Sequence, residues 1–207
     1  MAAQSLREQR REQRRALSRE QILDAAEQVF AREGFHDAAL REIAELAEFS
    51  VGAVYGFFAS KDEIYRDLFR RRGAEFLPGM REVLSSDLPP RRQLLDLADW
   101  QVDFFRRHPH FGRLVLRGGS IAPPLAEPSG DAEILENFRE SQRIQAELFR
   151  RGQRAGELRV GPPLVLARMF SGLVGAYQAA ELAESDERMS AADFHTLLES
   201  AFVVSSA

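Results

Sequence analysis

Apolar residues along the chain recur at helical spacing, with no stretch that alternates at strand spacing. Ile22, Ala26, Val29 and Phe30 form one stripe that stops at Gly34. Ahead of it, Leu17-Ser18-Arg19-Glu20-Gln21-Ile22 carries a serine cap, a Gln three residues on and an apolar pair able to staple the entry. Ser60-Lys61-Asp62-Glu63 is a second capping box, and Ile64, Leu68 and Phe69 continue one face. Ser190 caps a third stretch with Phe194, Leu197, Leu198, Ala201 and Phe202 in helical register. The pattern predicts nine helices, near residues 18–33, 39–47, 50–57, 61–85, 91–107, 109–118, 131–155, 163–183 and 190–204. Pro78-Gly79 is expected to interrupt or bend the fourth, and residues 118–130, GGSIAPPLAEPSG, read as a mobile loop. The fold class is all-α.

Two of these helices are too short to stand alone in water, so packing must hold them. Leu40, Ile43, Ala44 and Ala47 give one inward face; Val54, with Phe57 and Phe58, gives the other. The turn between them takes two or three residues and ends at Ser50 as N-cap. That spacing is a helix-turn-helix, whose second helix enters a DNA major groove. The second helix, VGAVYG, is neither bulky enough for a core nor charged enough for a plain solvated surface.

Charge adds a local signal rather than a global one. The net charge is −4, but residues 1–20 hold six Arg against Glu8, Glu12 and Glu20. Residues 21–61 hold Arg32, Arg41 and Lys61 against seven acids. Any nucleic-acid contact therefore rests on a basic arm and a few placed groups. Absent cysteine excludes disulfides, thiolate metal sites and cysteine nucleophiles. No run approaches the ~20 apolar residues of a membrane span, and no apolar signal core follows the N-terminal arginines, so the expected location is cytoplasmic.

The stretch ILDAAEQVFAREGFHDAALREIAELAEFSVGAVYGFFASKDEIY resembles the N-terminal domain of TetR-family transcriptional regulators, over residues 18 to about 70. The motif is AA…F…GF followed by IA..A..S.G..Y..F..K at unbroken spacing. The resemblance implies a flexible Arg-rich arm over 1–17, a DNA-binding domain over 18–65 and an effector-binding and dimerisation domain over 66–207. It also implies that Tyr55 and Lys61 contact the DNA backbone, positioning the protein without reading sequence. Ser50 caps the recognition helix, and Val51, Gly52 and Ala53 let its backbone approach the bases. Base readout falls to Val51, Ala53 and Gly56 through thymine methyl contacts, with Arg41 counted among the DNA-binding residues. Arm arginines would add minor-groove contacts. Three positions depart from the family pattern. Ala38-Ala39 stands where Thr or Ser usually caps helix two, a loss of about 1 kcal/mol. Ala47-Glu48-Phe49-Ser50 replaces Ala-Gly-Val-Ser, placing a non-glycine in a left-handed turn at roughly 1–2 kcal/mol. Phe57 stands where His is frequent.

In the remaining chain, Gln101 and His108 fall inside the apolar arc of the fifth helix, and Ser141 and Gln145 inside that of the seventh. Buried polar groups need a partner in the core, a subunit or a ligand. The residues are consistent with an effector pocket lined by Trp100, Gln101, Phe104, His108, Phe111, Phe138, Gln145 and Tyr177, and equally with ordinary core packing. The eighth helix is apolar almost all round, with Ser171, Gly175 and Ala179 as a small face opposite Met169, Phe170, Leu173 and Tyr177. Together with Phe194 and Leu198 of the ninth, the small face is the expected homodimer interface. Asp96, Asp99 and Asp103 read as a solvated face, and His108-Pro109-His110 is poor metal spacing, so no cofactor or metal is expected. No catalytic motif is present. The expectation is a repressor that leaves a pseudo-palindromic operator in double-stranded DNA when it binds a small lipophilic effector. Two alternatives stand beside it, an all-α enzyme and a DNA-binding dimer controlled by a protein partner.

Overall fold

A computed structural model describes residues 6–117, 132–182 and 188–204, so the loop expected over 118–130 lies outside the described residues. The chain divides into two compact units, Met1–Phe69 and Arg70–Ala207. The described residues form nine helices: α1 Leu6–Glu33, α2 Leu40–Leu46, α3 Val51–Tyr55, α4 Lys61–Leu84, α5 Pro90–Arg107, α6 Pro109–Arg117, α7 Ala132–Arg154, α8 Pro163–Leu182 and α9 Ala191–Phe202.

In the first unit, Ile22, Ala26, Val29 and Phe30 of α1 are fully buried, with Ile43 and Ala44 of α2, Val54 of α3 and Ile64 and Leu68 of α4. Tyr65 fixes the centre, its ring meeting Phe30 at 5.4 Å and Phe35 at 5.1 Å edge-on. Such pairs add about 0.5–1.5 kcal/mol beyond area burial. The unit runs to Phe69, past the expected boundary at residue 65, because Leu68 and Phe69 are buried with this core.

Two expectations about α1 are corrected, and of the two outcomes expected at Pro78-Gly79 the interruption does not occur. α1 starts at Leu6, so described residues of the expected flexible arm are helical, and Ser18 lies inside the helix and caps nothing. Residues 6–16 lack an apolar stripe, but Leu, Arg, Glu, Gln and Ala are strong helix formers that extend a packed nucleus outward. α4 runs unbroken across Pro78-Gly79. Gly79 serves packing there: a Cβ at that position would stand 2.2 Å from Trp100 Cζ2.

The second unit buries Leu94, Leu97, Ala98, Leu148, Phe149, Phe170, Leu198 and Phe202 in one core contributed by α5, α7, α8 and α9. Behind α7 the chain pairs with the end of α9: Arg159 N–H donates to Phe202 O at 2.8 Å and Val204 N–H to Glu157 O at 2.8 Å.

Candidate nucleic-acid interface and helical core

The α2–α3 turn is built as its residues dictate. Ala39 supplies no side-chain cap to α2. Glu48 takes the left-handed conformation at φ 60°, and Phe49 N–H closes the turn onto Ala44 O at 2.8 Å. Ser50 Oγ accepts from Ala53 N–H at 3.1 Å, which starts α3. At the next helix start Glu63 N–H donates to Ser60 Oγ at 3.2 Å, while the Glu63 carboxylate accepts from Ala59 N–H at 2.6 Å.

α3 buries only Val54. Ser50, Val51, Gly52, Tyr55 and Gly56 are exposed and Ala53 is half-buried. Tyr55, at 56% exposure, is not a core aromatic. Gly52 has no atom within 4 Å of where a Cβ would sit. The unit's own packing therefore does not call for glycine there, although glycine costs a helix about 1 kcal/mol relative to alanine.

Two guanidinium groups secure the C-terminal end of this element. Arg19 of α1 donates to Phe57 O at 2.8 Å, pairs with the buried Asp67 and lies 4.1 Å over the Phe58 ring. Arg15 reaches Gly56 O at 3.4 Å. Guanidinium groups at the last carbonyls of a helix satisfy acceptors that have no intrahelical donor. Lys61 commits two of its three N–H groups to His36 O at 3.0 Å and Ala38 O at 2.9 Å, and sits 4.6 Å over the Phe35 ring. It ties the α1–α2 turn, a structural task that the sequence pattern did not show. Arg41 pairs with Glu45 at 2.7 Å on the open surface of α2. Arg19 and Asp67, 48 positions apart, carried no local signal that could have flagged them.

In the second unit, Trp100, Phe104, His108 and Phe111 of the expected effector set come together with Phe76. Phe104 is the hub, its ring centroid 5.5 Å from Trp100, 4.9 Å from Phe76, 4.8 Å from His108 and 6.4 Å from Phe111. His108 Nε2 lies 3.2 Å from Glu75 Oε1, which also accepts from Arg107. The Glu75 carboxyl is shifted below its usual range: burial pushes it up, and the hydrogen bond and charges of His108, Arg107 and Arg72 outweigh that. Gln145 belongs to a second group, in which Gln142 Nε2 donates to Ser171 Oγ at 3.0 Å and Ser171 Oγ donates to Gln145 Oε1 at 2.8 Å. Gln101 is buried and its backbone carbonyl accepts from Gln178 Nε2 at 3.3 Å. Tyr177 stacks on Phe194 at 4.2 Å, and burial raises its phenol pKa. Phe138 is half-buried on α7.

The expected dimer face is corrected at four of five positions. Gly175, Phe194 and Leu198 are buried inside the chain and Ser171 is bonded to α7; only Ala179 is exposed. The exposed apolar face of α8 instead carries Val165, Met169, Ala176 and Ala180. A helix apolar all round gives no periodicity from which to choose the inward side.

Comparison with known proteins agrees with this architecture. Residues 22–73 match the model of "Bacterial regulatory proteins, tetR family". The chain is 30% identical over 106 residues to the HTH-type transcriptional activator FasR of Mycolicibacterium smegmatis, a match covering 51% of this chain and 48% of that protein. The chain thus spans about half the length of this curated relative. A TetR-like transcriptional regulator of Rhodococcus sp. RHA1 superposes with a TM-score of 0.72 at 23% identity, over 90% of this chain and 93% of its own. AibR, solved with isovaleryl coenzyme A and operator DNA, superposes with a TM-score of 0.73 at 16% identity, over 87% and 95%. These relatives are regulators, not enzymes. Residues 22–73 thus carry the tetR-family motif on an exposed α3 behind a left-handed turn, and the helical order along the chain is shared with these solved structures.

Proposed function

We propose that the protein is a transcriptional regulator that binds double-stranded operator DNA as a homodimer in the cytoplasm and leaves it on binding a small effector. The observation that carries this reading is the exposed face of α3, where Gly52 meets nothing in its own chain and Tyr55 stands in solvent. Small residues let a helix backbone approach base edges, and a tyrosine hydroxyl reaches phosphate. Direct readout rests on Val51, Ala53 and Gly56. Lys61, held by two carbonyls, supports the turn more than it supplies charge.

The dimer is proposed through α8 and α9, which pack on each other and expose Val165, Met169 and Leu197. A two-fold interface of this kind pairs two copies of α3 with two half-sites. The effector is proposed to bind in the helical unit; α4, whose residues belong to both units, carries the change to the DNA-binding end. Effector and operator then oppose each other with one coupling energy. AibR, a structural neighbour bound to both a small ligand and DNA, supports the reading by analogy.

The experiment is selection of bound fragments from genomic DNA by the purified protein, followed by footprinting of the strongest. A two-fold-symmetric protected site, bound in proportion to the square of protein concentration or by a preformed dimer, supports the proposal. Uniform, sequence-indifferent binding rejects it.

A further inference from the structure

Inside the helical unit Gln101 Nε2 and Gln142 Oε1 are among the buried hydrogen-bonding atoms left over, beside His110 Nδ1 and Arg151 Nε. Gln101 on α5 is 4% exposed and Gln142 on α7 is 5% exposed. Neither Gln101 Nε2, a donor, nor Gln142 Oε1, an acceptor, has a hydrogen-bond partner among the described residues. Buried polar atoms are nearly always paired, so each exception calls for a cause.

The chain of bonds through Ser171 leaves Oε1 as the free atom of Gln142. Ser171 has a single hydroxyl proton and gives it to Gln145 Oε1 at 2.8 Å. Its oxygen can then only accept, so Gln142 presents Nε2 to it at 3.0 Å and keeps Oε1 unpaired. The two glutamines are also placed relative to one another. Gln142 bonds to Ser171 and Gln101 is bonded by Gln178, both on α8. Those α8 residues are two turns apart on one face, roughly 10 Å at 1.5 Å per residue. The residues of α8 between them include Val174 and Tyr177, both buried and largely apolar.

Charge narrows the chemistry further. Among the described residues, every buried polar side chain of this unit is neutral: Gln93, Gln101, Ser141, Gln142, Gln145 and Gln178. The residues outside the description contain no Lys, Arg or His in their sequence. Arg106 is paired with Glu181 and Asp103. Arg151, half-buried on α7, donates to Gln93 and lies nine residues beyond Gln142, roughly 13 Å along the helix.

We infer that this part of the core takes an uncharged, mainly apolar molecule, with an acceptor near one end for Gln101 Nε2 and a donor near the other for Gln142 Oε1. The inference rests on the effector reading above and specifies its chemistry. An ionised carboxylate or phosphate would leave water without meeting a fully buried cation among the described residues, whereas a neutral carbonyl and a hydroxyl or N–H satisfy both leftover atoms.

The test uses two matched series, ω-hydroxy primary amides and ω-hydroxy carboxylic acids, with chains from hexyl to tetradecyl. Binding to the full-length protein at neutral pH is read by calorimetry and thermal shift. The amides are expected to bind, tightest at one chain length, and each acid of that length to bind at least ~10-fold more weakly. Gln101→Leu and Gln142→Leu should each weaken the amide at least ~10-fold. Both variants should melt at or above the wild-type temperature, which separates lost recognition from misfolding. Acids binding as well as amides, no amide binding at all, or variants that bind the amides unchanged would each overturn the inference. Operator retention in the same samples keeps the two readings apart. Gln-dependent amide binding with the DNA complex intact removes the effector reading and leaves this inference standing; release driven by the acids does the reverse.

Discussion

The two units handle polar groups in opposite ways. In the DNA-binding unit they are spent on structure: Arg19 on Phe57 O and Asp67, Lys61 on His36 O and Ala38 O, Ser50 on the α3 amide. In the helical unit they are partly held back. Every buried side-chain polar atom without a partner among the described residues lies beyond Phe69. A unit that must present a fixed surface saturates its internal bonds and leaves the working face outside. The unit proposed to accept a guest keeps bonding capacity inside, at a cost in stability.

The contrast can be broken at Arg19 first. Arg19→Ala removes a helix-end cap, a cation–π contact and the ion pair to the buried Asp67. The expected loss is about 3 kcal/mol of unfolding free energy, measured by urea titration. Gly79→Ala comes next, at about 2 kcal/mol, because the added methyl drives into Trp100. In the opposite direction, Gln101→Leu should stabilise the ligand-free protein by about 1 kcal/mol, by removing a buried donor that has nothing to bond. Glu48→Gly should stabilise by about 1 kcal/mol, relieving a left-handed non-glycine residue. A stability unchanged by Arg19→Ala, or lowered by Gln101→Leu, would dissolve the contrast.

The smallest expected effect is on pH dependence. Glu140 is held below the usual carboxylate range, chiefly by hydrogen bonds from Arg81 and then Arg143. A depressed folded-state pKa gives stability that is full above the unfolded pKa and lost as pH falls through the folded value. Arg81→Gln should therefore lower stability slightly at neutral pH and leave it unchanged well below the folded-state pKa, so that acidification removes less stability than in wild type, read by urea titration at several pH values.

Much of the architecture was legible because capped, amphipathic helices write their limits into the chain. Ser50 and Ser190 cap as expected, and Glu48 takes the left-handed conformation at the position where the family resemblance implied one. What escaped has specific causes. The first turns of α1 carry propensity without periodicity, so they read as an arm. α8 is apolar on all sides, so its buried face could not be chosen. The bonds of Lys61 and Arg19 close over sequence separations that no local pattern reports. For the site, the exposed residues of α3 were identifiable from motif spacing. The unpaired atoms of Gln101 and Gln142 were not, because satisfaction depends on three helices together.

The central claim is that the exposed α3 face meets DNA. The most direct measurement is binding of selected operator fragments by wild type, Gly52→Glu and Tyr55→Ala at two salt concentrations, with melting temperatures recorded for each. Gly52 has open space around it, so Gly52→Glu should fold as wild type yet bind DNA at least ~100-fold more weakly, its carboxylate facing bases and phosphates. Tyr55→Ala should lose about 10-fold. Wild-type affinity in a folded Gly52→Glu protein would contradict the account.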